Sequence, residues 1–563
     1  MNAAGDRRAD GSPGMPGVAQ PAGIPGSAAR PAATTVSSER TFVEMYDTTL
    51  RDGSQQVGLD LTVEDKLRVA AALDELGVDV VEGGWPGSNP KDKEFFARAN
   101  EVPWRNAQLA AFGATRRPNR SADGDADLET LLIANTPIVT LVGKSWTLHV
   151  DEALRTSREE NLAMIADSAR FFVREGRRVV FDAEHFFDGY VADSAYALEC
   201  LAAAAEAGAD TLALCDTNGG TLPEEIVQIV RDVLGRFPIR VGVHCHNDSA
   251  CAVANSLVAV GEGATHVQGA ANGYGERCGN ADLFAIIAGL ELKREHELLP
   301  PGRLAALATT AREIAELANL PFDPKQPYVG SSAFATKAGL HASAIARRPD
   351  AYSHVNPELV GNQAHVLVSE LAGRSNVLVK AAAMGLDLPG EVATEVLEEI
   401  KAAEHRGYAF EAADASFELL VRRMAGQSPS WFDLEGYRVV IEKSEGADRS
   451  EAIVRLRLGE QRVVAVGEGV GPVHALDQAL RKALSELYPE LATIHLVDYK
   501  VRILDGRAAT SAVTRVMLTS ADHDGEWTTV GVSDDIVTAS WEALADGISY
   551  GLLRAGAEAL VPV

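Results

Sequence analysis

The sequence is poor in cysteine, with five in 563 residues. They are scattered between positions 200 and 278 without paired spacing, which argues against a disulfide framework and is typical of a reducing cytosol. A secretory signal is also lacking, because the Ala-, Gly- and Pro-rich residues 1–38 contain no apolar core. We therefore expect a disordered N-terminal tail over 1–38 and a cytoplasmic location.

Long hydrophobic runs and an excess of positive charge are lacking as well. No apolar run is long enough to cross a bilayer, and the mean hydropathy is -0.04. The net charge of -28 argues against non-specific nucleic-acid binding, which depends on clustered Lys and Arg. We expect neither a membrane nor a nucleic-acid partner, and an anionic substrate would need local cations or a metal ion.

What the sequence has instead is a regular alternation of β-rich runs and amphipathic helical segments, beginning at Thr41. Helices are expected over 62–76, with Thr62 as N-cap, and over 193–207. Eight such strand–helix units in about 250 residues predict an α/β fold, a (β/α)8 TIM barrel over 39–300. A doubly wound sheet is the competing fold, but its Gly-rich fingerprint is missing after the first strand.

The remainder of the chain predicts two further regions. Residues 301–428 are mostly helical and predict linker subdomains, and 429–563 predict an α+β domain. Within this last domain a strand–strand–helix order occurs twice, which indicates a duplicated ββα unit. Its "GEGVG" segment (467–471) is interpreted as a tight turn or close backbone approach, since one Gly-rich turn is weak evidence for phosphate binding.

Reactive side chains collect at the predicted carboxyl ends of the barrel strands, where such barrels place their active sites. In chain order these residues are Asp47, Arg51, Asp52, Glu82, Asp182, Glu184, His185, Asp216, Thr217, His244, His246, Asn272, Glu276, Arg277 and Asn280. Plainer roles stay open for some of them. Glu82 and Asp216 could brace loops, Arg51 could be an ion-pair partner, and Thr217 could cap a helix.

The segment "VGVHCHNDSA" (241–250) has three side chains of metal-ligand type. Side chains alternate along a strand, so His244 and His246 share one face and Cys245 takes the other. Two imidazoles and a carboxylate form a common divalent-metal site, and Asp52 is the candidate carboxylate because barrel closure brings the first strand near the seventh. The alternative is a pair of hydrogen-bonded core histidines.

Several longer motifs resemble one family. "YDTTLRDGSQQ" (46–56), "HCHND" (244–248) and "GYGERCGNADL" (273–283) are similar to the 2-isopropylmalate synthase and homocitrate synthase family, metal enzymes on a β/α barrel. "VVEGGWPGSNPKDKEFF" (80–96), "LVGKSWTLHV" (141–150) and "DAEHFFDGY" (182–190) resemble its (R)-citramalate synthase branch in particular. The resemblance covers the chain after the tail, including an allosteric, dimerising C-terminal domain.

The resemblance implies roles for individual residues. Asp52, His244 and His246 would bind a divalent metal ion (Zn, Mn or Mg), with Asn280 on the metal or its water. The residues expected to hold the 2-oxoacid are Arg51, Asp182, Thr217 and Trp85, and those expected to be catalytic are Arg51, Glu184, His341 and Tyr352. His341 would serve acid/base chemistry from the helical region, reaching into the neighbouring subunit, with Tyr352 in support.

The implied reaction is that of an acyltransferase, in which acetyl-CoA, pyruvate and water give citramalate and CoA. Trp85 and Phe186 are nominated to close the pocket beside the pyruvate methyl group. The resemblance also implies a homodimer or higher oligomer, with isoleucine or leucine as effector of the C-terminal domain. The alternatives are 2-isopropylmalate synthase, homocitrate synthase, a metal-dependent aldolase or lyase, and a non-catalytic sensor on a barrel scaffold.

Overall fold

The computed structural model describes residues 42–336, 348, 352–366, 373–444, 447–504 and 511–559. The expected disordered tail over 1–38 and the candidate catalytic residue His341 lie outside these residues. Within them, every helix is too short or too polar to cross a membrane.

Eight parallel strands form a closed barrel in chain order, so the predicted fold is confirmed. The strands are β1 (Glu44–Asp47), β2 (Val80–Gly84), β3 (Gln108–Ala114), β4 (Ile138–Lys144), β5 (Arg178–Glu184), β6 (Thr211–Asp216), β7 (Arg240–Cys245) and β8 (His266–Gly269). β8 closes the barrel by pairing with β1, where Asp47 lies opposite Gly269. It also pairs with β7, where His244 lies opposite Gln268. The first and seventh strands are therefore separated by β8 alone.

Helices surround these strands. They are α1 (Val63–Leu76), α2 (Pro90–Ala99), α3 (Ala126–Ile133), α4 (Thr147–His149, continued by a π-helical turn Val150–Leu154), α5 (Arg158–Arg174), α6 (Phe186–Glu206), α7 (Pro223–Arg236), α8 (Ala252–Glu262) and α9 (Leu283–Arg294). Thr62 caps α1 as predicted, in a reciprocal capping box with Asp65. α6 begins at Phe186 rather than at the predicted residue 193, and it bends at Asp193.

Alternation along the strands separates two apolar layers. Inside the barrel, a small cluster includes Tyr46, Val80 and Ile138. Outside it, a larger core lies between the strands and the helices, and Cys245 belongs to this outer core, where it is buried. The alternation of side chains along a strand predicts that Cys245 points away from the barrel axis. Its place in the outer core confirms this prediction.

Helical elements and two short strands follow the barrel. They are α10 (Leu307–Leu317), β9 (Ala335–Thr336), β10 (His365–Val366), α11 (Arg374–Ala383), α12 (Gly390–Arg406) and α13 (Asp414–Met424). β9 and β10 pair in parallel, and α10 packs against α1.

The C-terminal region contains two similar units. The first is an antiparallel sheet of β11 (Asp433–Ser444), β12 (Ala447–Leu458) and β13 (Gln461–Gly469), followed by α14 (Pro472–Leu484). The second is a sheet of β14 (His495–Ile503), β15 (Thr514–Asp522) and β16 (Gly525–Ser533), followed by α15 (Ile536–Arg554). The predicted duplication is present, but its ββα composition is wrong because each unit has three strands. The third strand of each unit leads into its helix through a short turn, and it completes the sheet by pairing with the middle strand.

The "GEGVG" segment forms the end of β13 and the turn into α14. A Cβ atom at Gly467 or Gly469 would overlap backbone atoms of α14 at Ala475 and Ala479. The interpretation as a close backbone approach is confirmed, and glycine is needed at these two positions for space.

Candidate active site

The carboxyl ends of the barrel strands surround a cavity of about 460 Å³. Its lining includes nine residues that the sequence singled out for the site: Arg51, Asp52, Trp85, Asp182, Glu184, Thr217, His244, His246 and Glu276. A second cavity, of about 550 Å³, shares Arg51, Gln55 and Trp85 with the first and extends toward the start of α2. The polar residues of five different strand ends thus converge on one space.

Asp52, His244 and His246 form a compact buried group, which we call the Asp–His cluster. One ligand atom from each residue lies within 4.8 Å of the other two. Asp52 Oδ2 is 3.1 Å from His244 Nε2 and 3.6 Å from His246 Nε2. The sequence prediction that these three side chains lie together is therefore confirmed, while their binding of a metal ion stays a prediction.

The electrostatics of the Asp–His cluster favour an ionised Asp52 and a neutral His246. Burial alone would raise the pKa of Asp52, but the Arg51 guanidinium and the hydrogen bond with His244 outweigh it and hold that pKa well below its usual range. Burial and the charge of His244 lower the pKa of His246 to about 3, so this imidazole is neutral. A hard carboxylate oxygen and a neutral imidazole are both ready to act as ligands.

Asn280 adds a fourth polar group beside the Asp–His cluster. It is buried and forms a backbone bridge with His246, and its Nδ2 donates to the Tyr274 carbonyl oxygen at 2.9 Å. Its Oδ1 is buried and has no hydrogen-bond partner among the described residues. A buried acceptor without a partner is unusual, and a cation would satisfy it. The donor set therefore fits a divalent metal ion.

Arg51 is held in place by three interactions. Its Nε donates to the buried Glu82 carboxylate, its guanidinium lies 3.8 Å from the Phe112 ring centroid, and its Nη1 is 3.5 Å from Asp52 Oδ2. Glu82 also accepts a hydrogen bond of 2.5 Å from the Tyr46 hydroxyl. Arg51 is thus both an ion-pair partner and a residue that lines the cavity. Glu82 holds the Arg51 side chain in place and does not brace a loop.

The β4 and β5 ends supply a second charged pair. The Lys144 ammonium contacts the Glu184 carboxylate, and both residues line the cavity. Lys144 is not among the residues that the sequence analysis selected. Its position at the last residue of a predicted strand was the available signal, but a lysine at a strand end is usually solvated.

Gln268 is the other site residue that sequence reasoning missed. It is fully buried on β8, its Oε1 lies 2.8 Å from His244 Nδ1, and its Nε2 donates to Asp182 Oδ1 at 2.8 Å. Burial, with a further contribution from Glu82, raises the pKa of Asp182 to about 7. The signal was the alternation in "HVQG", which puts His266 and Gln268 on the same inward face.

One nomination is corrected. Phe186 was expected to close the pocket, but it is fully buried and packs against Phe187 and Tyr190 in the outer core. The reason is the left-handed backbone of His185 (φ 55°), which turns the chain away from the barrel axis directly after β5. Tyr352 is 49% exposed, and its supporting role beside His341 stays a prediction.

Of the two plainer roles predicted at the end of β6, one is confirmed and the other is wrong. Asp216 braces its loop, because its carboxylate accepts from the Thr221 hydroxyl at 2.8 Å. Thr217 does not cap a helix, since α7 begins after Leu222. Its hydroxyl instead accepts from the His185 backbone N–H at 3.0 Å while it lines the cavity.

Comparison with known families divides the chain into three matched segments. Residues 42–319 match the HMGL-like family, 328–407 match the homocitrate synthase post-HMGL domain-like family, and 411–552 match the LeuA allosteric (dimerisation) domain.

Curated relatives match along almost their whole length. An (R)-citramalate synthase of Streptomyces coelicolor is 52% identical over 93% of this chain and 99% of its own. One from Synechocystis is 50% identical over 92% of this chain and 97% of its own. A probable 2-isopropylmalate synthase of Methanopyrus kandleri is 32% identical over 90% of this chain and 98% of its own.

Proposed function

The chain belongs to the (R)-citramalate synthase family, and on that basis we propose that it condenses acetyl-CoA with pyruvate and water to give (R)-citramalate and CoA. The observation that carries the proposal is the convergence of Arg51 with the Asp–His cluster in one cavity. Such a site suits a small 2-oxoacid, whose carboxylate needs a cation and whose ketone oxygen becomes negative during carbon–carbon bond formation. The reaction is an acyl transfer in which the acyl group becomes an alkyl group.

Asp52, His244 and His246 would hold the metal ion, with the Asn280 amide oxygen as a further contact. When bound, a divalent ion supplies Lewis acidity toward the carboxylate and ketone oxygens of the 2-oxoacid. Arg51 places a fixed positive charge beside the same oxygens, and its contacts with Glu82 and Phe112 mean that little reorganisation accompanies the reaction. The Thr217 hydroxyl and Asp182 complete the 2-oxoacid side of the cavity.

Glu184 is the proposed base that removes a proton from the acetyl methyl group. It reaches the cavity from the end of β5, and Lys144 keeps a positive charge against its carboxylate. His341, with Tyr352 in support, is proposed as the second acid/base group and as a contribution from the neighbouring subunit. Hydrolysis of the thioester then releases CoA and makes the condensation irreversible.

Release of CoA thiol from acetyl-CoA tests this function. The rate should be highest with pyruvate, lower with 2-oxoisovalerate and 2-oxoglutarate, and should depend on a divalent ion that a chelator removes. Faster release with 2-oxoisovalerate would point to a 2-isopropylmalate synthase and would contradict the citramalate proposal. Cleavage of a preformed acyl-CoA without condensation would favour a lyase.

The match to a dimerisation domain supports an oligomer and an effector site in residues 411–552. We propose a homodimer in which His341 serves the site of the partner. Mixing H341A with H244A tests this, because hybrid dimers would contain one intact site and regain activity. Absence of recovery in verified hybrids would contradict the shared site. Isoleucine is the proposed effector, and inhibition of the full chain by leucine but not isoleucine would overturn that assignment.

A further inference from the structure

Gln268 occupies a central place between the Asp–His cluster and the interior of the barrel. It lies on β8 directly opposite His244 of β7, and both side chains point inward and are buried. Its amide is the only part of the side chain with hydrogen-bonding groups, and the described residues satisfy each side of it. This makes the orientation of the amide, and that of its neighbours, readable from the structure.

The nitrogen side of the amide is identified by two acceptors. Gln268 Nε2 is 2.8 Å from Asp182 Oδ1 and 3.3 Å from His266 Nε2. His266 Nδ1 in turn is 2.7 Å from Glu44 Oε2, which also accepts from Arg178. Because the Glu44 carboxylate can only accept, His266 carries its proton on Nδ1 and offers the lone pair of Nε2 to Gln268.

The oxygen side of the amide then determines which ring nitrogen of His244 carries a proton. Gln268 Oε1 can only accept, so the 2.8 Å contact requires a proton on His244 Nδ1. A ring that binds a metal ion is neutral, and with Nδ1 protonated its lone pair is on Nε2, the atom that lies 3.1 Å from Asp52 Oδ2 and 3.3 Å from His246 Nε2. A chain of hydrogen bonds from Glu44 through His266 and Gln268 thus ends at Nδ1 of His244, on the side of the ring opposite its ligand atom Nε2.

We propose that Gln268 is a positioning residue that holds His244 in the tautomer and orientation needed for metal binding through Nε2. This inference rests on the proposed metal centre. The second hydrogen bond of the same amide holds Asp182, so one side chain aligns a metal ligand and a cavity carboxyl group. Partners of this kind commonly change metal affinity by about 10–100-fold when they are removed.

Mn²⁺ titration of chelator-treated full-length protein tests the inference. Q268M preserves volume but cannot accept from His244, and its dissociation constant for Mn²⁺ should rise about 10–100-fold. Q268E keeps an acceptor for His244 and should bind Mn²⁺ more tightly than Q268M. The matched control is T211V, which removes one part-buried hydrogen bond, from the buried Thr211 to the exposed Asp210, at the opposite end of the barrel and should leave Mn²⁺ binding unchanged.

Each outcome decides the matter. Equal Mn²⁺ affinity in Q268M and the unchanged protein would overturn the inference alone, as would a similar loss in T211V. If Q268M does not fold, Q268E decides, and a tenfold or greater loss of affinity in Q268E would overturn it. Failure of the unchanged protein to bind Mn²⁺, Zn²⁺ or Mg²⁺ would overturn the metal centre itself and this inference with it.

Discussion

The Nε2 atoms of His244 and His246 lie 3.3 Å apart, and both face Asp52 Oδ2. Two imidazole nitrogens at this separation cannot both carry protons without repulsion. At most one of them carries a proton, and two imidazole nitrogens with one carboxylate oxygen surround a shared point, an arrangement that a divalent cation fits.

Removal of one of these ligands should abolish metal binding. We expect H246A to lose stoichiometric Mn²⁺ binding and about 10²–10⁴-fold in kcat/KM, since Lewis acidity contributes several kcal/mol. The matched control is C245A, which alters the adjacent residue on the opposite face of the same strand. Metal analysis and CoA release would contradict the site if C245A lost metal and H246A kept it.

Arg51 should not be replaceable by lysine. Its planar guanidinium contacts Glu82 and stacks on Phe112 at 3.8 Å, a geometry that an ammonium does not reproduce. We expect R51K to reduce kcat about 10²–10³-fold, with a smaller change in the KM for pyruvate. Steady-state kinetics with pyruvate check this. A variant with unchanged kcat would show that charge alone suffices.

The proposed base is tested by E184Q. The substitution keeps the shape of the side chain and removes its basicity, and we expect kcat to fall about 10²–10⁴-fold. Incorporation of solvent deuterium into the acetyl methyl group should fall in parallel. K144M removes the ammonium that contacts Glu184 and leaves the carboxylate, so its effect should be smaller. A larger loss in K144M than in E184Q would assign the central role to Lys144.

Trp85 and Phe186 should differ in their effect on substrate choice. Trp85 lines the cavity with Phe112, whereas Phe186 lies in the outer core. We expect W85A to raise the kcat/KM ratio of 2-oxoisovalerate to pyruvate about 10–200-fold. F186L should lower thermal stability and leave the ratio unchanged. A shift in the ratio for F186L alone would restore the original nomination.

Glu44 should make the barrel sensitive to acid. Burial alone would raise the pKa of Glu44, but His266 and Arg178 outweigh it and hold that pKa far below the usual range of a glutamate. A depressed carboxyl pKa stabilises the fold above the unfolded value, and this contribution is lost as the pH falls below about 4.5.

We expect E44Q to lower the free energy of unfolding at pH 7 by about 1–3 kcal/mol, because the half-buried Arg178 and the buried His266 lose a charged acceptor. Its stability should also fall less steeply than that of the unchanged protein between pH 5 and 3. Denaturant titrations at several pH values measure both effects. E64Q is the control, since Glu64 forms an exposed pair with Arg98. Parallel pH curves for E44Q and the unchanged protein would contradict the assignment.

Some parts of the site follow from local rules and could be read from the sequence. The period of two along β7 separates Cys245 from His244 and His246, and the barrel rule places the Asp52 loop at the same rim. The close approach of β13 to α14 at Gly467 could also be read from the sequence. A helix that packs closely on a strand leaves no space for a side chain there, so glycine is expected. In each case the chemistry of a few neighbouring residues determines the outcome.

Other parts were decided by tertiary structure. Gln268 reaches His244 only because β7 and β8 pair in a particular register, and Lys144 meets Glu184 through the register of β4 and β5. Phe186 lies in the outer core and not in the pocket, because His185 before it has a left-handed backbone conformation. The strand pattern does not specify that conformation. The sequence thus determined which strand ends carry the chemistry. The folded barrel decided which side chains touch, since contacts between strands depend on register and on backbone angles at their ends.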